Sequence, residues 1–374
     1  MRKPARPLDS WPDWQIALAI TAALRLSYTG FAAALSFVLH PAPGLIHSNA
    51  LTENLPSPGT WHYAFLGVWE RFDTLWYLHI AQHGYDQPMA VIFYPVYPAA
   101  IRLASWLLPP AVAALLISTA GAFCFFWGML RISHTELSRS GRVRLMLLIS
   151  AWPTSFILFG GYAESLTVAL IVWAVIFGRT ARWWPAALCG FVAGLARPSG
   201  VLVVVPLLVL AWKNRRAASL AVLLAPLGTL GYWAWLRWSG RLSVVEAYGI
   251  HQQTPFTAPW NGLWLTLRLI SHGDALLAIK FGLIALAATF ALRSTARSED
   301  RLFSAAVILQ MFMYTGRPVI GAARYTLILY PAFVGLAAYA ERRWNRLQFS
   351  FYVAALGFLN LMWMVAFLNW SLVL

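Results

Sequence analysis

Residues 111–130 read AVAALLISTAGAFCFFWGML and contain no charged side chain over twenty positions. A helix of about 20 apolar residues is long enough to cross the ~30 Å hydrocarbon core of a bilayer. Similar apolar runs recur from one end of the 374-residue chain to the other. Because backbone groups in hydrocarbon must be hydrogen-bonded within their own segment, these runs predict membrane-spanning helices.

The composition supports the same interpretation. Hydrophobic residues make up 60% of the chain and charged residues only 11%, whereas soluble domains carry roughly 25% charged residues. The net charge of +15 comes from short basic clusters between the apolar runs, the pattern that the positive-inside rule produces. No nucleic-acid partner is therefore expected. The two cysteines, Cys124 and Cys189, lie within apolar runs, so no disulfide framework is predicted.

We predict an all-α polytopic membrane protein with a single integral membrane domain over residues 1–374. About eleven spans are expected, and several are short for a bilayer, so their ends must extend into the flanking residues. The predicted spans are residues 14–39, 111–130, 145–159, 166–177, 185–195, 201–212, 218–238, 275–292, 302–314, 326–340 and 349–368.

Charge bias predicts the orientation. With the N-terminus in the cytoplasm, every even-numbered span returns the chain to a basic connection, and the loops 40–108 and 239–274 lie on the external face. This holds only if residues 91–108 do not cross the bilayer; Pro95, Pro98 and Arg102 suit a helix at the interface. The predicted cytoplasmic connections are residues 131–144, 178–182, 213–216, 293–301 and 341–346.

The first external loop contains the most polar stretch, WERFDTLWYLHIAQHGYD, at residues 69–86. Residues 73–84 predict a short helix with Asp73 at the N-cap and Gly84 as its stop. Asp73 has two readings, a plain helix cap or a carboxylate that takes a proton from a sugar hydroxyl. The nearby aromatic rings equally fit a sugar platform or an interfacial belt.

Three other polar clusters fall at predicted external turns. Glu164 lies in Gly160-Gly161-Tyr162-Ala163-Glu164-Ser165, Arg197 begins Arg-Pro-Ser-Gly, and Arg317 and Arg324 lie near Tyr325. Arginines on this face break the positive-inside pattern, which an anionic ligand would explain, because the guanidinium fork binds phosphate bidentately. Ion pairing with Glu164 or Glu70 would explain them as well.

Several classes of chemistry have no support. The chain has no Gly-x-x-x-x-Gly-Lys-Ser/Thr loop, so no P-loop ATPase is predicted. His79 and His83 stand four residues apart, but no second metal-like cluster accompanies them, and no zinc site is expected. The spans are nearly free of acids, unlike those of a proton-driven pump.

The polar motifs resemble a known family. Trp69-x-Arg-Phe-Asp73-x-x-Trp-Tyr-x-x-Ile-Ala-x-x-Gly-Tyr85, followed by Phe93-Tyr94-Pro95-Val96-Tyr97-Pro98, is similar to the pattern of the PIG-V family, the GPI mannosyltransferase II family, and its bacterial relatives. Tyr162-Ala-Glu164, Arg197-Pro-Ser-Gly200 and Arg324-Tyr325 follow in the same order. Two departures are mild: the family often has Trp at Phe72 and Phe-Phe-Pro at residues 93–95.

This resemblance implies a GT-C type glycosyltransferase fold and an inverting mannosyltransferase. Such enzymes move a sugar from a polyprenyl-phosphate donor to an acceptor hydroxyl at the external face of the membrane. Asp73, within segment 69–98, matches the family aspartate and would be the general base, with Glu70 and Glu164 as supporting acids. Arg197, Arg324 and Arg317 would hold the donor phosphate. The sugar or acceptor would contact Trp69, Trp76, Tyr77, His83, Tyr85, Tyr162 and Tyr325.

The remaining expectations concern partners and place. The acceptor would be a glycolipid, a polysaccharide or a protein hydroxyl; no cofactor or essential metal is expected, and the protein would act as a monomer. The chain would lie in a prokaryotic plasma membrane. The alternative is a lipid-linked sugar transporter or flippase without catalysis, which would need a similar cavity of arginines and aromatics.

Overall fold

A computed structural model describes residues 11–39, 51, 57–215, 217–251, 256–293, 297–313 and 321–371. Over these ranges the chain is helical and contains no β-strand. The α-helices are α1 (Asp13–Ser36), α2 (Trp61–Phe65), α3 (Asp73–His83), α4 (Val96–Ala104), α5 (Pro110–Ile132), α6 (Arg139–Ala151), α7 (Glu164–Arg179), α8 (Trp183–Ala196), α9 (Val204–Asn214), α10 (Leu227–Trp238), α11 (Val244–His251), α12 (Pro259–Ser271), α13 (Ala275–Arg293), α14 (Ser298–Met311), α15 (Ala322–Tyr325), α16 (Tyr330–Arg343) and α17 (Arg346–Leu368).

Five helical segments are long and apolar enough to cross a membrane. The segments Trp183–Ala196 and Pro198–Asn214 are apolar but shorter. Helices also occupy the other predicted spans within the described part of the chain, but they are shorter than the length needed to cross a bilayer. The count of eleven spans therefore stays a prediction. The five long segments are Asp13–Ser36, Pro110–Ile132, Ala217–Trp238, Ala275–Arg293 and Arg346–Leu368.

The outside of the bundle is apolar, as expected of a surface that faces lipid. Leu26, Leu116 and Phe358 lie on three of the long helices and are exposed. Indole rings near helix ends are exposed as well, including Trp106 and Trp238, which is typical of side chains at a membrane interface. The protein is therefore a helical membrane protein.

Helix α7 lies inside the bundle and packs against α5 and α8. A Cβ atom at Gly121 of α5 would lie 2.7 Å from the backbone nitrogen of Leu166 in α7, so only glycine permits this approach. Small residues allow membrane helices to pack closely. The position of the first turn of α7, which begins at Glu164, is thereby fixed against α5.

Residues 57–108 fold back on the bundle through short helices. Helix α4 has nine residues and is about 14 Å long, too short to cross the hydrocarbon core. The Tyr97 hydroxyl donates a 2.8 Å hydrogen bond to the carbonyl of Ala114 in α5. The prediction that residues 91–108 do not span agrees with this arrangement.

The basic connections meet at one end of the bundle. Arg142 Nη1 donates a 2.9 Å hydrogen bond to Asp13 Oδ1 of α1. Arg297 Nε lies 3.0 Å from Glu136 Oε1, and the Ser140 hydroxyl donates a 2.7 Å hydrogen bond to Glu341 Oε1. Connections that the charge bias assigns to one face are therefore neighbours.

Candidate active site

Helix α3 begins at a strained residue. Phe72, immediately before the helix, has φ 47° and ψ −114°, a conformation that costs a non-glycine residue roughly 1–3 kcal/mol. Gly84 ends the helix with φ 79°, which glycine adopts without steric cost. The predicted helix and its stop at Gly84 are confirmed.

The prediction that Asp73 is the N-cap is wrong. Phe72 occupies the N-cap position and Asp73 is the first residue of the helix, because the sharp turn at Phe72 comes one residue earlier than local sequence signals indicate. The carboxylate of Asp73 instead accepts a 2.6 Å hydrogen bond from Arg324 Nη1. Its interaction is therefore tertiary, and an acid is not needed here to cap the helix.

Arg71 anchors the turn before α3. Its side chain is fully buried, and Nη2 donates a 2.6 Å hydrogen bond to the Tyr63 hydroxyl while Nη1 donates a 2.8 Å bond to the Gly67 carbonyl. The guanidinium also lies 4.7 Å from the centre of the Trp370 ring. These contacts explain how the chain holds the strained Phe72 conformation.

Gly161 brings α3 against α7. A Cβ atom at Gly161 would lie 2.4 Å from Thr74 Cγ2, so a larger residue would push Thr74 and the first turn of α3 away. Glu164 follows three residues later as the first residue of α7 and is only 2% exposed. The Gly160-Gly161 turn therefore sets Asp73 and Glu164 side by side.

Four charged residues form an unbroken chain of ion pairs at this position. Arg324 Nη1 lies 2.6 Å from Asp73 Oδ2 and 3.2 Å from Glu164 Oε1. Arg197 Nη1 lies 2.5 Å from the same Glu164 oxygen. We call Asp73, Arg324, Glu164 and Arg197 the ion-pair chain. Its members come from four separate segments of the sequence.

The ion-pair chain is electrically balanced and mostly buried. The side chains of Glu164, Arg197 and Arg324 are 3%, 8% and 10% exposed, whereas that of Asp73 is 24% exposed. Burial lowers the pKa of Arg324, but the carboxylates of Asp73 and Glu164 outweigh this effect and hold the pKa well above its ordinary value. Both arginines therefore stay charged, and Asp73 is the member most open to solvent.

Hydrogen-bonding capacity remains unused within the ion-pair chain. Glu164 Oε2, Arg197 Nε and Arg324 Nε are buried and have no hydrogen-bond partner among the described residues. Buried polar atoms in native proteins are usually paired with protein or water. Unpaired donors on both arginines are what a site for an oxyanion would present.

Two tyrosines lie on the arginines. The guanidinium of Arg324 is 5.3 Å from the centre of the Tyr162 ring, and that of Arg197 is 5.3 Å from the centre of the Tyr325 ring. Tyr162 is buried, and Tyr325 is half-buried. These contacts orient the guanidinium planes in addition to the ion pairs.

The other predicted aromatic residues are distributed more widely. Trp69 is 1% exposed, and Arg25 lies over its ring at 5.4 Å. Tyr77 is buried among Phe93 and Tyr97, and burial raises its pKa well above the ordinary value. Both rings are therefore enclosed by protein, and their contacts in this structure are with other side chains.

Trp76 lies about one turn after Asp73 in α3, whereas His83 is the last residue of the helix and Tyr85 follows its stop at Gly84. Trp76 stacks on Phe93 with ring centres 5.5 Å apart, and the Tyr85 hydroxyl donates a 2.7 Å hydrogen bond to the Phe93 carbonyl. His83 is exposed and lies ten residues beyond Asp73, about 15 Å along the helix axis. Of these three, Trp76 is nearest to Asp73 in the helix.

Glu70 does not join the ion-pair chain among the described residues. Glu70 is half-buried, and burial raises its pKa, an effect that His62 and Arg71 partly offset. Arg317 lies outside the described residues. The roles predicted for both remain predictions.

Sequence reasoning missed three neighbours of the site. Lys280 of α13 is 8% exposed and interacts electrostatically with Arg324. Tyr248 of α11 lies near Arg197, Tyr325 and Asp73. Ser199, in the Arg-Pro-Ser-Gly motif, has a buried hydroxyl without a hydrogen-bond partner among the described residues. The signal for Lys280 was a lone cation in an apolar span, which commonly marks a functional site.

No cluster of three or more His, Cys, Asp or Glu side chains in the described residues could hold a metal ion. The comparisons with known proteins give no further identification: no protein-family profile and no curated protein sequence matches the chain. The protein is thus defined as a helical membrane protein with a buried ion-pair chain of two carboxylates and two arginines.

Proposed function

We propose that the protein is a membrane glycosyltransferase that moves a mannosyl unit from a polyprenyl-phosphate donor to an acceptor hydroxyl. The observation that carries this proposal is the ion-pair chain, in which Asp73 Oδ2 and Arg324 Nη1 are 2.6 Å apart. A partly exposed carboxylate, which could act as a base, is thus in direct contact with an arginine of the pair that could bind phosphate. The sequence motifs that resemble the PIG-V family supply each of these residues.

The arginines would bind the donor phosphate. Two arginines and two carboxylates cancel formally, so an added phosphate needs further positive charge or must displace a carboxylate. Lys280, which lies near Arg324, would supply this further charge once an anionic phosphate is bound. The unpaired Nε atoms of Arg197 and Arg324 supply donors, and donors placed at a leaving phosphate stabilise the charge that grows on it in the transition state.

Donor binding would also activate Asp73. In this structure Asp73 Oδ2 is occupied by the hydrogen bond from Arg324 Nη1. Phosphate oxygens that compete for Arg324 would loosen its contact with Asp73. The carboxylate would then be free to accept a proton from the acceptor.

The reaction would be a single displacement. The acceptor oxygen forms a bond to the anomeric carbon, the bond from that carbon to the phosphate oxygen breaks, and Asp73 takes the acceptor proton. The products are an inverted glycoside and polyprenyl phosphate. Because phosphate leaves readily, one carboxylate suffices, whereas glycosidases use a pair of carboxyl groups. Glu164, which contacts both arginines, would keep their guanidinium groups in position.

The same proposal places the site at the external face of a prokaryotic plasma membrane, within a GT-C type fold. Asp73, Glu164, Arg197 and Arg324 all fall in segments that the charge bias assigns to that face. The test of sidedness is a cysteine at position 82, an exposed position in α3, which should react with a membrane-impermeant maleimide added outside intact cells.

The direct test uses purified protein with polyprenyl-phosphate mannose labelled in the sugar. Each of a panel of acceptors, including glycolipids, inositol lipids and hydroxyl-bearing peptides, is offered separately. Appearance of label in an acceptor, with release of polyprenyl phosphate, supports the enzyme. A transporter would instead move the intact donor across a proteoliposome membrane without forming a new glycoside.

Replacing Arg197 with lysine should weaken donor use. Lysine keeps the charge but loses the planar fork that binds phosphate through two nitrogens. We expect the donor KM to rise about tenfold, with a smaller fall in kcat, in steady-state transfer assays. The matched control is Arg237→Lys, an exposed arginine of α10 outside the ion-pair chain, which should change neither constant by more than about twofold. An unchanged donor KM in Arg197→Lys removes Arg197 from the donor site.

A further inference from the structure

A second charged cluster lies at the other end of α7. Arg179 is the last residue of this helix and Glu164 is the first, so roughly 22 Å of helix separates it from the ion-pair chain. Arg179 Nη2 lies 2.7 and 2.6 Å from the two carboxylate oxygens of Asp300. The Tyr330 hydroxyl donates a hydrogen bond to the same carboxylate.

A cavity of about 320 Å³ opens beside this cluster. Ligand sites in proteins commonly measure ~300–1,000 Å³, so the cavity matches a headgroup rather than a whole lipid. Its lining combines charged and apolar residues. We call Glu136, Arg179, Arg297, Asp300 and Arg342 the polar wall, and Pro331, Val334, Gly335 and Ala338 of α16 the apolar wall.

The charges in the polar wall do not cancel. Arg179 pairs with Asp300, and Arg297 Nε lies 3.0 Å from Glu136 Oε1. Arg342 is the third arginine of the lining; it is exposed, and no described carboxylate lies within ion-pair distance of it. One net positive charge therefore faces the cavity.

We propose that this cavity binds the phosphate of an anionic phospholipid. Arg342 and Arg297 would hold the phosphate oxygens, and the apolar wall of α16 would contact the glycerol and the first carbons of the acyl chains. A free phosphate ion would use the same arginines but would gain nothing from the apolar wall. This site is independent of the proposed transfer reaction, because α7 separates the two clusters.

Arg342 and Arg343 provide a matched pair for the test. Both are exposed and both lie in the last turn of α16, with the same helix dipole and the same contribution to membrane orientation. Only Arg342 lines the cavity. Arg342→Gln should lower binding of phosphatidylglycerol about tenfold, whereas Arg343→Gln should change it less than twofold.

Binding is measured by native mass spectrometry of the full-length protein in detergent, with phosphatidylglycerol, phosphatidylcholine and inorganic phosphate as separate probes. The expected result is preferential retention of phosphatidylglycerol that depends on Arg342. Equal losses in the two variants would mean attraction to a basic surface and would overturn the proposal, as would unchanged binding in both. Arg342-dependent capture of inorganic phosphate without lipid retention overturns the lipid assignment.

A third variant addresses the apolar wall. Ala338 is half-buried and lines the cavity, so Ala338→Leu would fill space where a glycerol backbone should lie. Phosphatidylglycerol retention should fall severalfold while the thermal unfolding midpoint of the lipid-free protein stays constant. Full retention of the lipid would contradict the assignment of this wall.

Discussion

Replacing Asp73 with asparagine is expected to reduce sugar transfer about 10²- to 10⁴-fold, the range over which a positioned general base contributes. Asparagine has nearly the same size but cannot accept the acceptor proton. The loss should appear in kcat. Donor affinity should hold or improve, because the Arg324 donor that now binds the Asp73 carboxylate at 2.6 Å becomes available to phosphate.

The control for this substitution lies in the same loop. Asp86 is exposed and binds His79 Nε2 at 2.6 Å, and this hydrogen bond lowers the pKa of Asp86. Asp86→Asn therefore removes one carboxylate and alters one side-chain hydrogen bond without touching the ion-pair chain, and transfer should change less than twofold. Comparable activity in Asp73→Asn and the parent protein would refute the role of Asp73 as base.

Replacing Glu164 with glutamine should lower the free energy of unfolding by roughly 3–5 kcal/mol, the usual cost of removing one partner from a buried ion pair. Glu164 Oε1 contacts both Arg197 and Arg324, and its side chain is 3% exposed. Without the charge of Glu164, the two buried arginines carry two positive charges, and only the carboxylate of Asp73 remains to balance them. Chemical denaturation in detergent micelles measures the change.

Two further variants separate this effect from a general loss of packing. Glu246→Gln is the control, because that exposed carboxylate makes local hydrogen bonds with the neighbouring Ser243, and its loss should leave the free energy of unfolding almost unchanged. The double variant Glu164→Gln/Arg197→Gln should be more stable than Glu164→Gln alone, since one uncompensated cation is gone. A double variant that loses the sum of both single effects would contradict the coupling.

The site was partly visible in the sequence. Asp73, Glu164, Arg197 and Arg324 are each conspicuous because charge is rare in this chain and costly near hydrocarbon. Their connection was not visible, because Asp73 and Arg324 are 251 positions apart and no local pattern encodes which turns meet. The sequence also left open whether the arginines bind an anion or pair with carboxylates. In the structure they pair with carboxylates, and a donor on each arginine has no hydrogen-bond partner among the described residues.

The aromatic residues show the opposite difficulty. A row of Trp and Tyr at residues 69–85 equally suits an interfacial belt, a sugar platform or a packed core. The structure encloses Trp69 and Tyr77 and leaves Trp76 and Tyr85 half-buried. Composition could not make this distinction, because each environment favours the same amphipathic rings.

The sequence by itself determined that the chain is helical and lies in a membrane, because apolar length and scarce charge allow no other solvation of the backbone. It also determined the helix that ends at Gly84, a property of a few neighbouring residues. Only the tertiary structure decided that Asp73 begins this helix rather than capping it, and that it meets Arg324. Those outcomes depend on the Phe72 turn held by Arg71 and on the close approach at Gly161, which arise from packing between distant segments.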